Sequence, residues 1–428
     1  MIAAAAIGVF LVAYAFIATE RIDRVAAALG GVAAMTVLGL VDADSAFFDH
    51  ETGVDWNVIF LLFGMMVIVG VMKQTGLFEY LALWAARASR GRPVRLLGLL
   101  IVVTAGASAL LDNVTTVLLV APVTLSVCTR LGLPSTPYLV SMVFASNIGG
   151  TATLIGDPPN IIIASRAGLS FNDFLVHTLP VTVLIVAVLV VLCRFLYRHD
   201  LHTVVPRELV ADLDPAAAIK DRRRLAICLA VLAVVMVAFG LHTVLHLDPS
   251  VVAMLGAGAM VVLTRTSSEE FLEEVEWGTL VFFMALFVLV GGLVQVGVIG
   301  SIGEAAADAL GDRPLLAATT LLFGSAIVGG FVDNIPYTAA TVPIVQDMVA
   351  ASGDPTSGNP LWWAFALGAD LGGNTTAVAA GANVVVLGIA HSAGRPITFW
   401  QFTRYGLVVT FVSLCVAWLY VWLRYFVI

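Results

Sequence analysis

SALLDNVTTVLLVAPV at residues 108–123 and SNIGGTATLIGDPPN at residues 146–160 are the stretches that decide the fold of this chain. Both return downstream. The DN pair at 112–113 recurs as DN at 333–334, and the block that begins at Asn147 is matched by DLGGNTTAVAAGAN at 370–383, at nearly the same offset. The chain therefore contains two copies of one polar, glycine-rich element.

The composition around these blocks is that of a membrane protein. Of the 428 residues, 60% are hydrophobic and 12% are charged, and the mean hydropathy is +1.01, far from the values of soluble domains. Runs of about 17 to 25 apolar residues can cross a bilayer as helices. The predicted spans lie near 3–18, 25–41, 57–72, 174–197, 225–241, 249–264, 277–294 and 403–425. Two further runs, 138–165 and 361–390, contain glycine and polar residues, which predicts broken helices.

The distribution of basic residues predicts the orientation. The loop 41–55 contains five acidic residues and no Lys or Arg, whereas residues 87–95 contain four arginines. The positive-inside rule places the second segment in the cytoplasm. Only Arg166, Arg313 and Arg424 of the 21 Lys and Arg residues then lie outside. We expect a multi-pass protein of the plasma (inner) membrane with both termini outside.

The repeated blocks belong to a duplication of nearly the whole chain. Asp55-Trp56 pairs with Glu276-Trp277 at the same offset that separates the two DN pairs, and a constant register over such lengths indicates a true repeat. We expect repeat one at 1–199, a cytoplasmic linker at 200–224 and repeat two at 225–428.

Each repeat is predicted to hold five spans, one broken helix and one hairpin. The hairpins, 95–130 facing the cytoplasm and 314–350 facing outside, have two apolar arms joined by a polar tip, which predicts re-entrant segments. Because the number of crossings is odd, the second repeat is inverted relative to the first, as in secondary transporters. The fold class is an all-α polytopic membrane protein with two inverted repeats.

The hairpin tips and the broken helices supply the candidate site. A buried aspartate is costly in a bilayer, about 2.5 to 3.5 kcal/mol on insertion scales, and persists where it faces protein or water. Paired glycines permit an unwound backbone whose polar groups bind ligand if they line a cavity. The candidate substrate- or ion-binding residues are Asp112, Asn113, Thr115, Thr116, Asn147, Gly149, Gly150, Thr151, Thr153, Asp157, Asn160, Asp333, Asn334, Thr338, Asp370, Gly372, Gly373, Asn374, Thr375 and Asn383.

Structural alternatives accompany these assignments. Asp112 and Asp333 are also suited to capping the helices that follow them, and paired glycines also serve close helix contacts in membranes. Asp157 has no acidic counterpart in the second copy, so it could be a proton or cation site, and it could equally cap the helix or shape the Pro-Pro turn. His242 and His246 lie four residues apart and could share a helical face, where packing at the membrane interface is the simpler explanation.

LDNVTTVLLVAPVT and SNIGGTATLIGDPPNIII resemble the ion-transporter superfamily that includes arsenite efflux permeases, the P protein, D-type sodium/proton antiporters and divalent-anion/sodium symporters. The resemblance covers nearly the whole chain and is closest to the arsenite-permease and P-protein branch. It implies an elevator-like transport domain beside a scaffold that often forms homodimers, and it makes a cytoplasmic ATPase subunit a candidate partner.

The leading hypothesis is a secondary transporter that exports arsenite or another anion, coupled to protons or the membrane potential. A sodium/proton antiporter and a cation-coupled di- or tricarboxylate transporter are the alternatives. An intramembrane aspartyl protease is disfavoured because no GxGD element surrounds the aspartates, so we expect no enzyme.

The expected partners are the lipid bilayer and a small inorganic or organic ion. We expect no cofactor apart from a coupling proton or sodium ion, and no metal beyond such a sodium site. The four cysteines form no CxxC pair, which argues against a thiolate metal site. The net charge of −8 gives no basis for binding nucleic acid.

Overall fold

Long apolar stretches form helices here because a backbone in lipid must satisfy its own hydrogen bonds. The computed structural model describes residues 2–19, 21–202, 205–310 and 313–427, and these residues contain helices and no strand. The predicted all-helical membrane class is confirmed. Residues 203 and 204 of the predicted linker lie outside the described residues, as do residues 1, 20, 311, 312 and 428, which fall within the predicted repeats.

The helices of the first half run in the following order. They are α1 (Ile2–Thr19), α2 (Arg24–Val37), α3 (Ala43–Phe47), α4 (Trp56–Lys73), α5 (Leu77–Ser89), α6 (Pro93–Ser108), α7 (Asn113–Arg130), α8 (Ser135–Gly150), α9 (Pro158–Ala167), α10 (Phe171–His177) and α11 (Leu179–Leu196).

A short helix, α12 (Arg207–Ala211), and a 3-10 turn (Pro215–Ala218) precede the second half. Its helices are α13 (Arg222–Leu245), α14 (Pro249–Thr264), α15 (Ser268–Glu273), α16 (Trp277–Gln295), α17 (Val298–Leu310), α18 (Pro314–Phe331), α19 (Asn334–Ala351), α20 (Pro360–Gly372), α21 (Gly381–Ser392) and α22 (Phe399–Trp422), followed by a π-helical turn (Leu423–Val427).

Eight of the described helices are long and apolar enough to cross a membrane, namely α1, α4, α7, α11, α13, α16, α18 and α22 with the π-helical turn that follows it. Four shorter apolar helices are α2, α6, α14 and α21. Both predicted broken helices are interrupted at their polar blocks, between α8 and α9 and between α20 and α21. The hairpin arms are α6 with α7 and α18 with α19; their re-entrant course and the inversion of the repeats stay predictions.

For two of the segments that differ from the expected boundaries, the local cause is clear. The predicted span 174–197 is divided at Thr178, because a capping box at Ser170 begins α10 and a proline near the start of α11 begins a new helix. The expected linker ends earlier than residue 224, because the Asp221 side chain accepts hydrogen bonds from the backbone N–H groups of Arg223 and Arg224 and so starts α13.

The broken helices lie at the centre of the fold. Every residue from Pro137 to the end of α8 is buried, as is every residue of α20 after Pro360. The hairpin arm α6 packs on α8, and α18 packs on α20, with α11 and α22 alongside. The two halves interlock here, because α9 contacts α19 and α7 contacts α21. The polar blocks of both halves are thereby brought into one interior.

Small residues allow the central helices to approach closely. A Cβ at Gly368 of α20 would lie 2.4 Å from the carbonyl oxygen of Leu322 in α18. In the first half, a Cβ at Gly149 of α8 would lie 2.3 Å from the carbonyl oxygen of Ala105 in α6. Glycine at such contacts lets two helix backbones touch, which is a common basis of helix association in membranes.

We expect Gly368→Ala to destabilise the protein by about 1 to 3 kcal/mol, because the obstructing atom is backbone and a helix must shift to admit the methyl group. Gly324→Ala is the matched control: it lies in α18 of the same helix pair, and a Cβ there meets nothing within 4 Å. Thermal unfolding in detergent should show a lower Tm for the first variant and an equal or higher Tm for the second. Equal stability of the two variants would refute the close packing described for Gly368.

Candidate functional site

The tips of the two hairpins are helix caps. The Asp112 carboxylate accepts a hydrogen bond from the Thr115 backbone N–H at 2.7 Å, and the Asp333 carboxylate accepts one from the Ile335 N–H at 3.0 Å. The capping interpretation therefore holds for both aspartates. Each cap begins a helix whose first side chain, Asn113 or Asn334, is buried, so the caps place two amides in the interior.

One asparagine in each half closes a helix break. The Asn160 amide nitrogen donates to the carbonyl oxygens of Gly150 at 3.4 Å and Thr153 at 3.1 Å. The Asn383 amide nitrogen donates to the carbonyl oxygens of Gly373 and Thr376, at 2.7 and 2.8 Å. Both asparagines are fully buried. In each half, the asparagine that ends the motif therefore donates to backbone carbonyls that the helix break leaves without an intrahelical partner.

Asn147 joins the two halves. Its amide nitrogen donates to Asn374 Oδ1 at 3.1 Å and to Asn383 Oδ1 at 3.0 Å, and its Oδ1 accepts from the amide nitrogen of Asn113 at 3.3 Å. One side chain therefore links residues of both copies. The halves share a single polar interior.

Asp157 is fully buried in this interior. It stands at the N-cap position of α9, but its side chain makes no capping hydrogen bond, so the capping alternative is wrong for this residue. Its Oδ2 instead accepts from the amide nitrogen of Asn113 at 3.0 Å, while its Oδ1 has no hydrogen-bond partner among the described residues. Asp157 is aimed at the polar centre.

Asp370 is the second fully buried carboxylate. It lies beside the side chains of Asn160 and Thr151, yet neither of its oxygens makes a hydrogen bond of ordinary geometry within the described part of the chain. Thr151 donates to the backbone carbonyl of Asn147, and the Asn147 side chain accepts from Asn113, which also donates to Asp157. The two carboxylates therefore belong to one cluster.

The cluster also contains unpartnered amide groups of both polarities. Among the described residues, Asn113 Oδ1 and Asn160 Oδ1 lack a donor, and the amide nitrogens of Asn334 and Asn374 lack an acceptor. Amide orientations follow from the hydrogen-bond network, and an amide presents an acceptor and a donor at opposite corners. The interior can hence offer oxygens to a cation and N–H groups to an anion at the same time.

Several predicted threonines donate their hydroxyl hydrogens to backbone carbonyls. Thr338 donates to the carbonyl of Asn334 in its own helix, Thr153 donates to Ala109 O at 2.6 Å, and Thr151 donates to Asn147 O.

The predicted glycines divide between helix packing and the breaks. Gly149 makes close contacts with α6 and Gly372 with α18, as expected if glycines serve close helix contacts. Gly150 faces the Gly156 carbonyl across the break, and Gly373 lies near the Asn334 amide. Thr116 is buried with its hydroxyl unpartnered, Thr375 contacts Thr410, and Thr115 lines a separate cavity beside Lys73.

Arg24 is a residue near the site that the sequence did not predict. Its guanidinium lies 3.7 Å from the Asp333 carboxylate and 5.3 Å from the centre of the Phe282 ring. Arg24, Asp333 and Glu276 line a cavity of about 470 Å³ that reaches the start of α21. Basic residues ahead of a span, such as Arg21 and Arg24, are typical of a loop, and the repeated motifs gave no indication that Arg24 would contact a hairpin tip of the other half.

A larger cavity of about 890 Å³ lies between the loop after α3 and helix α19. Its rim is acidic, and the pKa of Asp49 is lowered because the backbone N–H groups of Thr52 and Glu51 donate to the carboxylate. Arg166 donates to the carbonyls of His50 and Glu51 and so holds this loop in place. The cavity offers a negatively charged approach to one side of the fold.

The two histidines lie in different environments, because His242 is buried and His246 is exposed. His242 accepts a hydrogen bond from the Phe171 backbone N–H at 3.2 Å, whereas His246 ends α13 in a left-handed conformation with φ of 52°. The described residues contain no group of three His, Cys, Asp or Glu side chains that could hold a metal ion. Cys128, Cys193 and Cys228 are buried and free, and Cys415 is exposed.

Comparison with known proteins gives consistent results. The family model described as citrate transporter (CitMHS) matches residues 14–368. An uncharacterized transporter of Mycobacterium tuberculosis is 52% identical over 99% of both chains. The human P protein is 34% identical over 97% of this chain and 59% of its own length, so the expected relationship to the P-protein branch is confirmed.

Two solved transporter structures share the fold. The YdaH transporter of Alcanivorax borkumensis superimposes with a TM-score of 0.62 at 15% identity, over 85% of this chain and 84% of its own. MtrF of Neisseria gonorrhoeae, described within a class of antimetabolite efflux pumps, gives a TM-score of 0.60 at 13% identity, over 94% of this chain and 85% of its own.

We expect Asn147 and Asn383 to be energetically coupled, because their amides are directly bonded across the two halves. A double-mutant cycle of Asn147→Ala and Asn383→Ala should give an interaction energy of about 0.5 to 3 kcal/mol in unfolding measurements. Asn147→Ala combined with Asn160→Ala is the control, since the structure shows no hydrogen bond between these two described residues. Additive effects of Asn147→Ala and Asn383→Ala would contradict the bridge.

Proposed function

The chain belongs to the citrate transporter family, and from this membership we propose that it is a secondary active transporter that moves a small anion or oxyacid across the plasma membrane, coupled to protons or sodium ions. Membrane transport, and not catalysis, follows from the family and from the transporter relatives. The substrate, the coupling ion and the mechanism of alternating access are parts of the proposal.

One observation carries the proposal: a single buried cluster, built by both halves, presents unpartnered oxygens and unpartnered N–H groups together. Carboxylates and carbonyl oxygens favour a cation, while amide N–H groups favour an anion. Because the described residues give these oxygens and N–H groups no hydrogen-bond partner, a bound cation and a bound anion would supply the missing partners. Binding of both ligands at one place is the simplest physical basis of coupling.

The cluster suits an oxygen-rich cargo. It consists of amide, hydroxyl and carboxyl groups, so arsenite would be held as its hydroxide through hydrogen bonds and not through thiolates. The name of the matched family points to citrate and so favours a carboxylate cargo. Citrate-like carboxylates and arsenite are accordingly the two cargoes to test first.

A sodium/proton antiporter is the second candidate, and the pair of buried carboxylates Asp157 and Asp370 favours it. Two carboxylates suit a small cation better than they suit an anion. Such an antiporter would move protons in response to sodium with no anion present, which separates it from the leading proposal.

The driving force is adequate for either mode. One elementary charge moved through a membrane potential of about 100 mV gains about 2.3 kcal/mol, equivalent to a roughly 50-fold concentration ratio. One coupled ion per cargo therefore supports useful accumulation or export.

Purified protein in proteoliposomes should accumulate or release citrate or arsenite when a pH or sodium gradient is imposed. We expect Asp157→Asn to reduce the coupled flux by about 10- to 100-fold, because it removes a buried charge that accepts a hydrogen bond, worth about 1.5 to 3 kcal/mol. Isotope uptake measured with and without each gradient gives the readout.

Asp308→Asn is the control, since Asp308 is an exposed carboxylate on α17, outside the cluster. It should transport like the unmodified protein. Gradient-driven uptake by Asp157→Asn at the rate of the unmodified protein would refute the proposal. Sodium-driven proton movement without any anion would instead establish the antiporter.

A further inference from the structure

The π-helical turn that follows α22 is held against the end of α10. The Arg424 guanidinium donates to the Val176 carbonyl oxygen at 2.7 Å, and the Tyr420 hydroxyl donates to the His177 carbonyl oxygen at 2.9 Å. The Tyr425 hydroxyl lies 2.5 Å from Nδ1 of the same histidine, within hydrogen-bond distance. Single π-helical turns are rare and frequently mark functional sites. These three contacts dock the turn on α10.

The imidazole ring of His177 also connects the turn to the central helix α20. It stacks on the indole ring of Trp363, with 4.4 Å between ring centroids and 6° between ring planes, and the Tyr425 ring is nearly parallel to it at 5.9 Å. Trp363 is fully buried in the first turn of α20, and its indole N–H donates to the Ser357 carbonyl oxygen at 2.7 Å. Asp370 lies about two turns further along the same helix. We call the group formed by His177, Trp363, Tyr420, Arg424 and Tyr425 the latch.

The surroundings of the His177 ring disfavour a positive charge on it. Burial and the Arg424 guanidinium lower the pKa of His177 from 6.5 to about 4, although the Asp173 carboxylate acts in the opposite direction. That carboxylate also belongs to the N-terminal cap of α10, where it accepts hydrogen bonds from the backbone N–H and the hydroxyl of Ser170. The helix α10 ends before the span α11 begins, so the latch histidine lies outside the described membrane spans.

Other charged and titratable groups lie on the elements around His177. They include Asp173 on α10, Arg194 on α11, His242 on α13, Asp354 ahead of α20, Asp370 on α20, and Arg404, Tyr405 and Tyr420 on α22, followed by Arg424 and Tyr425. His242 accepts a hydrogen bond from the Phe171 backbone N–H, at the opposite end of α10. Among the described residues, Arg424 and Asp173 are the charges that act on His177. The charge balance at the ring is therefore set by the latch and the cap of α10.

We propose that the latch is released by acid: protonation of His177 detaches the π-helical turn from α10 and from Trp363 at the start of α20. The step binds one proton from water to a ring nitrogen and needs no other reactant. An imidazolium beside the Arg424 guanidinium places two like charges in a partly buried site, which is unfavourable. Release moves both charges apart and into water. The inference is independent of the cargo and the coupling ion, because no member of the latch belongs to the polar cluster.

Acid favours the released state because the two states bind protons differently. Above pH 6.5 the His177 ring is neutral in both states, so the latch has its full stability. Between pH 6.5 and about 4 the released state binds a proton that the latched state does not. The ratio of released to latched protein therefore rises about tenfold for each pH unit lost. Below this range both states are protonated, and the ratio levels off.

Electron paramagnetic resonance of a spin label on the turn measures the release. The label is attached at Val427→Cys, because Val427 is 57% exposed, in a chain that carries Cys415→Ser, because Cys415 is exposed and the other three cysteines are buried. In the full chain in liposomes, the label should be largely immobile at about pH 7.5. The ratio of its mobile to its immobile spectrum should rise about tenfold as the pH falls from about 6 to about 5. A ratio that stays constant or falls overturns the proposal.

His177→Phe keeps an aromatic ring against Trp363 but cannot bind a proton, so the label should stay immobile at both pH values. His391→Phe is the matched control, because His391 is an exposed histidine near the end of α21, outside the latch. It should respond to acid like the unmodified protein. An acid response that persists in His177→Phe would assign the release to another group and refute the proposal.

Arg424 is tested through its charge, which does not require His177→Phe to fold. Arg424→Lys keeps the positive charge, so the mobile ratio should level off at the same pH as in the unmodified protein. Arg424→Gln keeps an N–H donor for the Val176 carbonyl but removes the charge, so the latched state binds the proton more readily and the ratio should level off at a higher pH. Identical pH profiles of the two variants would contradict the charge repulsion on which the proposal rests.

Discussion

Backbone polar groups that a helix break frees inside a membrane protein must be satisfied by the protein itself, because lipid supplies no partner. Asn160 and Asn383 meet this requirement, each with two hydrogen bonds to carbonyls of its own break. The requirement explains why asparagine ends both motifs. It also explains the position of the site, since the unwound residues and the buried amides have to lie together.

The two halves repeat the scaffold of the site but not its charges. The asparagines that close the breaks are equivalent, and so are the aspartates that cap the hairpin arms. The equivalence fails at Asp157, where the second copy has alanine at 380, and at Asp370, where the first copy has Asn147. Each half therefore contributes one buried carboxylate to an otherwise amide-rich interior, and the pair arises only because the halves interlock.

The sequence predicted most of the fold, because apolar runs and repeated motifs have direct structural consequences. Both broken helices and the hairpin arms lie where composition and glycine placed them. The division at Thr178 was not predicted, because the apolar run around it has the length of a single span. For the site, the sequence indicated which residue types take part but not the direction in which each side chain points. Whether a threonine faces the cluster or its own helix, as Thr338 does, depends on rotation about the helix axis.

Charge balance distinguishes the acidic residues of the interior from one another. Asp333 lies beside the guanidinium of Arg24, a residue of an outer helix that belongs to the other half. Asp157 receives the amide dipole of Asn113. Within the described residues, no comparable donor reaches Asp370. A buried carboxylate without internal compensation is too costly to retain as an ion. Asp370 therefore differs from Asp157 and Asp333 in receiving no hydrogen bond of ordinary geometry from the described part of the chain.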